Sequence, residues 1–156
     1  MNTNDEFEIK LNILADILEK KKTALGEVLA ISQNQESVYD APASAERRDF
    51  LVQMGQEKQK RIDDVIKCDD AFQSIFDGIK NIFEQKGKEY PEKVRALQIS
   101  ISETLEMDVK IRAQEEKTRL ATQAAWGQRA ESSDTNEVAK NRILAQYKDN
   151  NRNRPR

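Results

Sequence analysis

The stretch LVQMGQEKQKRIDDVIKCDDAFQSIFDGIKNIF, residues 51–83, decides how this chain is read. Leu51, Gly55, Lys58, Ile62, Val65, Asp69, Phe72, Phe76, Ile79 and Phe83 follow one another at strictly alternating steps of four and three. A strand would alternate every second residue; this spacing keeps one seam of a helix turned toward a partner over many turns. No Pro interrupts it, and the flanking prolines are Pro42 and Pro91. The seam predicts a helix from about Ser44 to Lys86, roughly 65 Å long at ~1.5 Å per residue. Its first half is the weaker, because Gly55 and Lys58 stand in it. Its second half is aromatic and aliphatic, so packing is expected to be tightest around Phe72–Phe83. Asp69 is also in the seam, where it would pair with Lys21 or another inward cation, giving register at some cost in stability. On this reading Asp69→Leu raises thermal stability.

Upstream, Thr3-Asn4-Asp5-Glu6 has the pattern of a capping box. Phe7, Leu11, Leu14, Leu18, Leu25 and Val28 then form one apolar stripe, interrupted where Lys21 takes an inward position. Ile13, Ile17 and Leu29 widen it, so this helix is expected to touch more than one neighbour and to end near Ser32–Gln35. Downstream, Gly87-Lys88-Glu89-Tyr90-Pro91 reads as a reversal, with Gly87 in the left-handed conformation and Pro91 in the first turn of a third helix. That helix carries Val94, Leu97, Ile101, Leu105 and Val109 as its inward stripe, then Ile111 and Leu120, and thins to Ala121, Ala124, Ala125 and Trp126 before Gly127. The expected fold is all-α: an elongated antiparallel bundle or coiled-coil hairpin of three long helices over residues 1–127. Residues 128–156 form a tail that carries net charge +3. It has a short amphipathic segment at Val138, Ile143, Leu144 and Tyr147.

Composition narrows the chemistry. The 156 residues hold 26 basic and 28 acidic side chains, no His and the single Cys68. Leu, Ile, Val and Phe number 35, about 22% of the chain, just enough for a modest core. Without His there is no Ser-His-Asp triad, no Cys-His nucleophile and no Glu-x-x-His dimetal bundle. No Gly-rich phosphate loop occurs. The near-balanced charge argues against a nucleic-acid surface. The pairs Asp63-Asp64 and Asp69-Asp70 lack a second carboxylate cluster, so they read as helix surface and inward seam and no metal or cofactor is expected. Cys68 lacks a cationic neighbourhood and reads as a structural thiol. No apolar run spans a bilayer, and the acidic N-terminus has no signal-peptide core. The expectation is a non-enzymatic protein of a reducing cytosol, with no membrane insertion. Trp126 reads first as a cap on the bundle end and second as an aromatic anchor for a partner.

The segments Leu51-Val52-Gln53, Lys58-Gln59-Lys60-Arg61-Ile62-Asp63 and Asp69-Asp70-Ala71-Phe72 resemble flagellar export chaperones of the FlgN and FliT type, in their clostridial form. Lys21-Lys22-Thr23-Ala24-Leu25 in the first helix, and Tyr90-Pro91 with Leu97-Gln98 and Ile101 in the third, are similar to the family as well. The resemblance covers residues 7–120, and the tail from Gln128 departs from it. It implies a cytosolic chaperone that keeps a hook–filament junction protein or the filament cap from polymerising and delivers it to the export apparatus. The client's amphipathic helix would lie along the third helix beyond Val109 and the tail, at Ile111, Leu120, Ala124, Trp126, Ile143, Leu144 and Tyr147. Truncation after Gly127 is then expected to weaken client binding. The competing class is a coiled-coil adaptor, such as a stalk component of an export ATPase, acting by self-association. The second helix's seam could pair between chains as easily as within one, which leaves a homodimer open.

Overall fold

The computed structural model of the chain describes residues 3–127. They form three long helices: α1 from Thr3–Val38, α2 from Ala45–Lys86 and α3 from Pro91–Gly127, with a single 3₁₀ turn at Gly87–Glu89. The tail residues Ile143, Leu144 and Tyr147 lie outside the described residues. No strand occurs among the described residues, and the fold is an all-α helical bundle.

The order is up, down, up. Phe7 near the start of α1 meets Phe83 near the end of α2 and Tyr90 at the entry to α3, both at 5.9 Å between ring centroids. At the other end Gln35 meets Lys58, and Ser32 meets Glu115. α1 therefore runs antiparallel to α2 and parallel to α3. It packs along both, whereas no Cα of α2 comes within 8 Å of a Cα of α3. α2 and α3 meet through side chains alone.

The seam of α2 faces inward as its spacing predicts. Gly55, Lys58, Ile62, Val65 and Ile79 are buried, and Leu51, Asp69, Phe72, Phe76 and Phe83 are half-buried. Two apolar clusters result. One gathers Phe7, Leu11, Leu14, Leu18, Ile79 and Leu97, with Phe72, Phe76, Phe83 and Tyr90 around them. The other gathers Ala24, Leu25, Val28, Ile62, Val65 and Ile111. Each fully buried aliphatic or aromatic side chain is worth ~1.5–3 kcal/mol of transfer free energy. Between the clusters Lys21 Nζ lies 2.7 Å from Asp69 Oδ1, the inward pair that the two stripes predict.

The connections explain where the helices stop. α1 continues to Val38, past the expected Ser32–Gln35, because Ser32 and Gln35 are buried and hydrogen-bonded and so belong to the packed face. Tyr39–Ala41 then turn, and Ser44 caps α2: its Oγ accepts from Arg47 N at 3.0 Å. The Arg47 guanidinium donates to Ala41 O at 2.8 Å and stands 5.5 Å from the Tyr39 ring centroid. Gly87 departs from expectation. Its φ of −60° and ψ of −28° are ordinary right-handed helix values. What glycine offers there is closeness: a Cβ would lie 3.3 Å from Val94 Cγ2, tight enough that the valine would have to give by a few tenths of an ångström. The chain reverses one turn later, where Tyr90 N donates to Gly87 O at 3.0 Å.

Candidate functional site

The spacing of α3 offers two faces, and the structure buries the more polar one. Leu97, Thr104, Ile111 and Thr118 recur every seven residues and are buried, as are Gln114, Glu115 and Thr122. The expected inward stripe holds only at its start. Ile101 is 38% exposed, Leu105 60%, Val109 64% and Leu120 52%. At ~100° of turn per residue, Ile101 lies about 60° and Leu105 about 100° around the helix from Thr104, and Val109 and Leu120 lie about 160° from Ile111 and Thr118.

The cause is Lys58. The repeat of α2 places it inward, where it is 2% exposed, and a buried ammonium must be paired and hydrogen-bonded. Its Nζ lies 2.9 and 3.2 Å from the two oxygens of Glu115 and donates to Gln35 Oε1 at 2.7 Å. Ser32 Oγ donates to the same Glu115 carboxylate. Gln114 donates to Glu36 across the same α1–α3 seam. Thr118 Oγ1 lies 3.1 Å from Ser32 O and 3.0 Å from Gln114 O, and Thr122 donates to Thr118 O at 2.6 Å. Threonine hydroxyls satisfied by the preceding turn can be buried without partners elsewhere. Glu115 must turn inward to meet Lys58, and that orientation carries Ile101, Leu105 and Val109 outward.

The result is a three-helix polar layer backed by an exposed aliphatic face. The layer is closed and its groups are mutually satisfied, which suits register-setting rather than ligand binding. The face has the character of a docking surface: large aliphatic side chains at i, i+4 and i+8 on a rigid helix.

The residues assigned to client binding separate accordingly. Ile111 is 1% exposed within the second apolar cluster, so it is a core residue and no contact surface in the closed bundle. It sits seven residues from Thr104 and Thr118, on the inward row. Leu120 and Ala124 are exposed, and Trp126 is half-buried. Leu105 and Val109, read as core, turn out to be the centre of the exposed face. The signal for this was present in Lys58: a seam cation calls for an anion on a facing helix, and Glu115 answers it.

Other chemistry is sparse. An open groove of about 520 Å³ between α1 and α2 is lined by Glu19, Glu27, Arg61, Asp64 and Cys68 among others. Burial pushes the Cys68 thiol above its ordinary pKa, and Asp69 and Asp64 add to the effect, so the thiolate nucleophile is disfavoured. Among the described residues no group of His, Cys, Asp and Glu is disposed to hold a metal ion. None of the described helices is long and apolar enough to cross a membrane. No protein-family model, no curated protein and no solved structure matches the chain.

Proposed function

We propose that the chain is a cytosolic chaperone of flagellar type III export that holds an amphipathic helical segment of a flagellar subunit along the outer face of α3. The observation that carries this reading is the exposed row of Ile101, Leu105 and Val109, extended by Leu120. A client helix laid beside it meets large apolar side chains over the two turns from Ile101 to Val109 without any change in the bundle. The resemblance of residues 7–120 to FlgN- and FliT-type chaperones supplies the class of client: a hook–filament junction protein or the filament cap, held unpolymerised until export. No catalytic step is involved. The work is the covering of apolar surface until the client reaches the export apparatus.

The test is calorimetric titration of the full chain with purified junction proteins and filament cap. Binding to one of them, weakened at least about tenfold by Leu105→Arg with Val109→Arg, is the expected result; loss of that size follows when central apolar anchors of an interface are replaced. A helical content equal to the parent's shows that the variant is folded. Failure of every flagellar client to bind refutes the reading.

A further inference from the structure

We infer that the outer face of α3 is also where two copies of this chain pair, antiparallel and centred on Leu105. This deepens the reading of the same face and rests on it for its consequence alone: the unloaded chaperone covers its own client surface. The face is palindromic. Ile101 and Val109 lie four residues on either side of Leu105, and Gln98 and Arg112 lie seven residues on either side. The match ends there: eleven residues out, half-buried Val94 answers exposed Glu116. These five share one side of α3, and all are exposed.

A two-fold axis through Leu105 therefore sets Leu105 against itself and Ile101 against Val109 of the second copy. Gln98 falls opposite Arg112, a side-chain carbonyl facing a guanidinium. Aliphatic meets aliphatic at the centre and polar meets polar one turn further out, as an isologous contact requires. The other two helices leave this face uncovered, since Ile101, Leu105 and Val109 are exposed in the bundle. One helix pair of this length covers roughly 600 Å² per copy, at the low end of specific interfaces. The dimer is accordingly expected to be weak, dissociating in the micromolar range and yielding to a client.

The experiment uses the full chain without any client, so its outcome is separable from that of the chaperone reading. Sedimentation equilibrium over the micromolar to submillimolar range is expected to show monomer and dimer, with Leu105→Arg weakening the dimer at least about tenfold. In a Cys68→Ser background, Leu105→Cys is expected to form a disulfide with itself under mild oxidation. Ile101→Cys is expected to link only when mixed with Val109→Cys. A chain that is monomeric throughout overturns the inference, as does a dimer indifferent to Leu105→Arg. Ile101→Cys linking to itself as readily as to Val109→Cys would mean a parallel pair and overturns it too. A monomer in which Leu105→Cys resists alkylation would assign the face to residues 128–156 and overturn it as well.

Discussion

Lys58 Nζ lies 2.9 Å from Glu115 Oε1, a buried, direct hydrogen-bonded link between α2 and α3. Lys58 belongs to the seam of α2, and Glu115 to the inward row of α3. Their union, with Gln35 and Ser32 from α1, orients α3 about its own axis.

Removing one partner leaves the other charge buried. Lys58→Met is expected to cost ~3–5 kcal/mol, the range for breaking a buried pair. For a chain of this size that lowers the melting temperature by roughly 10 °C. Replacing both residues, with Lys58→Met and Glu115→Leu, should recover most of the loss because no ion is then buried. Thermal denaturation followed by circular dichroism measures both, and a single variant melting within two degrees of the parent contradicts the account.

The pair of Lys21 and Asp69 is also enclosed, with side chains only 15% and 17% exposed. Since the two face each other at 2.7 Å, the expected stabilisation belongs to the double replacement rather than to Asp69→Leu alone. Lys21→Met with Asp69→Leu should raise the melting temperature by a few degrees, about 1 kcal/mol. Asp69→Leu by itself strands the ammonium and should melt below the double variant. A double variant less stable than the parent would show that the pair contributes net stability.

Exposed and buried aliphatics on the same helix should behave oppositely. Ile111→Ala empties part of the second cluster and is expected to cost ~2–5 kcal/mol. Leu105→Ser and Val109→Ser remove surface side chains and should stay within about 0.5 kcal/mol of the parent in dilute solution. The pairing of these results in urea denaturation checks the orientation of α3. A large loss from Leu105→Ser at low protein concentration would place that residue inside.

The Cys68 thiol, raised by desolvation first and then by Asp69 and Asp64, should alkylate more slowly than a free cysteine peptide at pH 7 to 8. Its rate should rise with pH through a midpoint above that of the peptide. Because the folded state holds the proton more tightly, the thiol's contribution to stability is complete below the unfolded pKa and is lost as pH rises through the folded one. Alkylation as fast as the free peptide's would refute the assignment of a structural thiol.

Much of the architecture was legible in single residues. The four-and-three spacing from Leu51 to Phe83, Ser44 before α2, and Pro91 after Gly87 placed the second and third helices within a residue of their observed ends. Lys21 and Asp69 could be paired from two independent stripes. The inward side of α3 was not legible in the same way, because hydrophobic periodicity ranks faces by apolarity alone. Along α3 the apolar row of Ile101, Leu105 and Val109 outscores Thr104, Gln114, Glu115 and Thr118. The choice between them depends on a charge carried by another helix. Gly87 illustrates the same limit: its position at a reversal was evident, but its reason, the proximity of Val94, is a contact between elements.

The amino-acid sequence by itself determined that the chain is helical and where α2 and α3 begin and end. Those properties depend on spacing, caps and composition, which are local. Only the tertiary structure decided which face of α3 meets solvent. A buried ammonium on α2 demands a carboxylate within hydrogen-bonding reach, and Glu115 supplies it while Ile101, Leu105 and Val109 stand outward on the same helix. The surface left exposed by that decision is the one to which the proposed function is assigned.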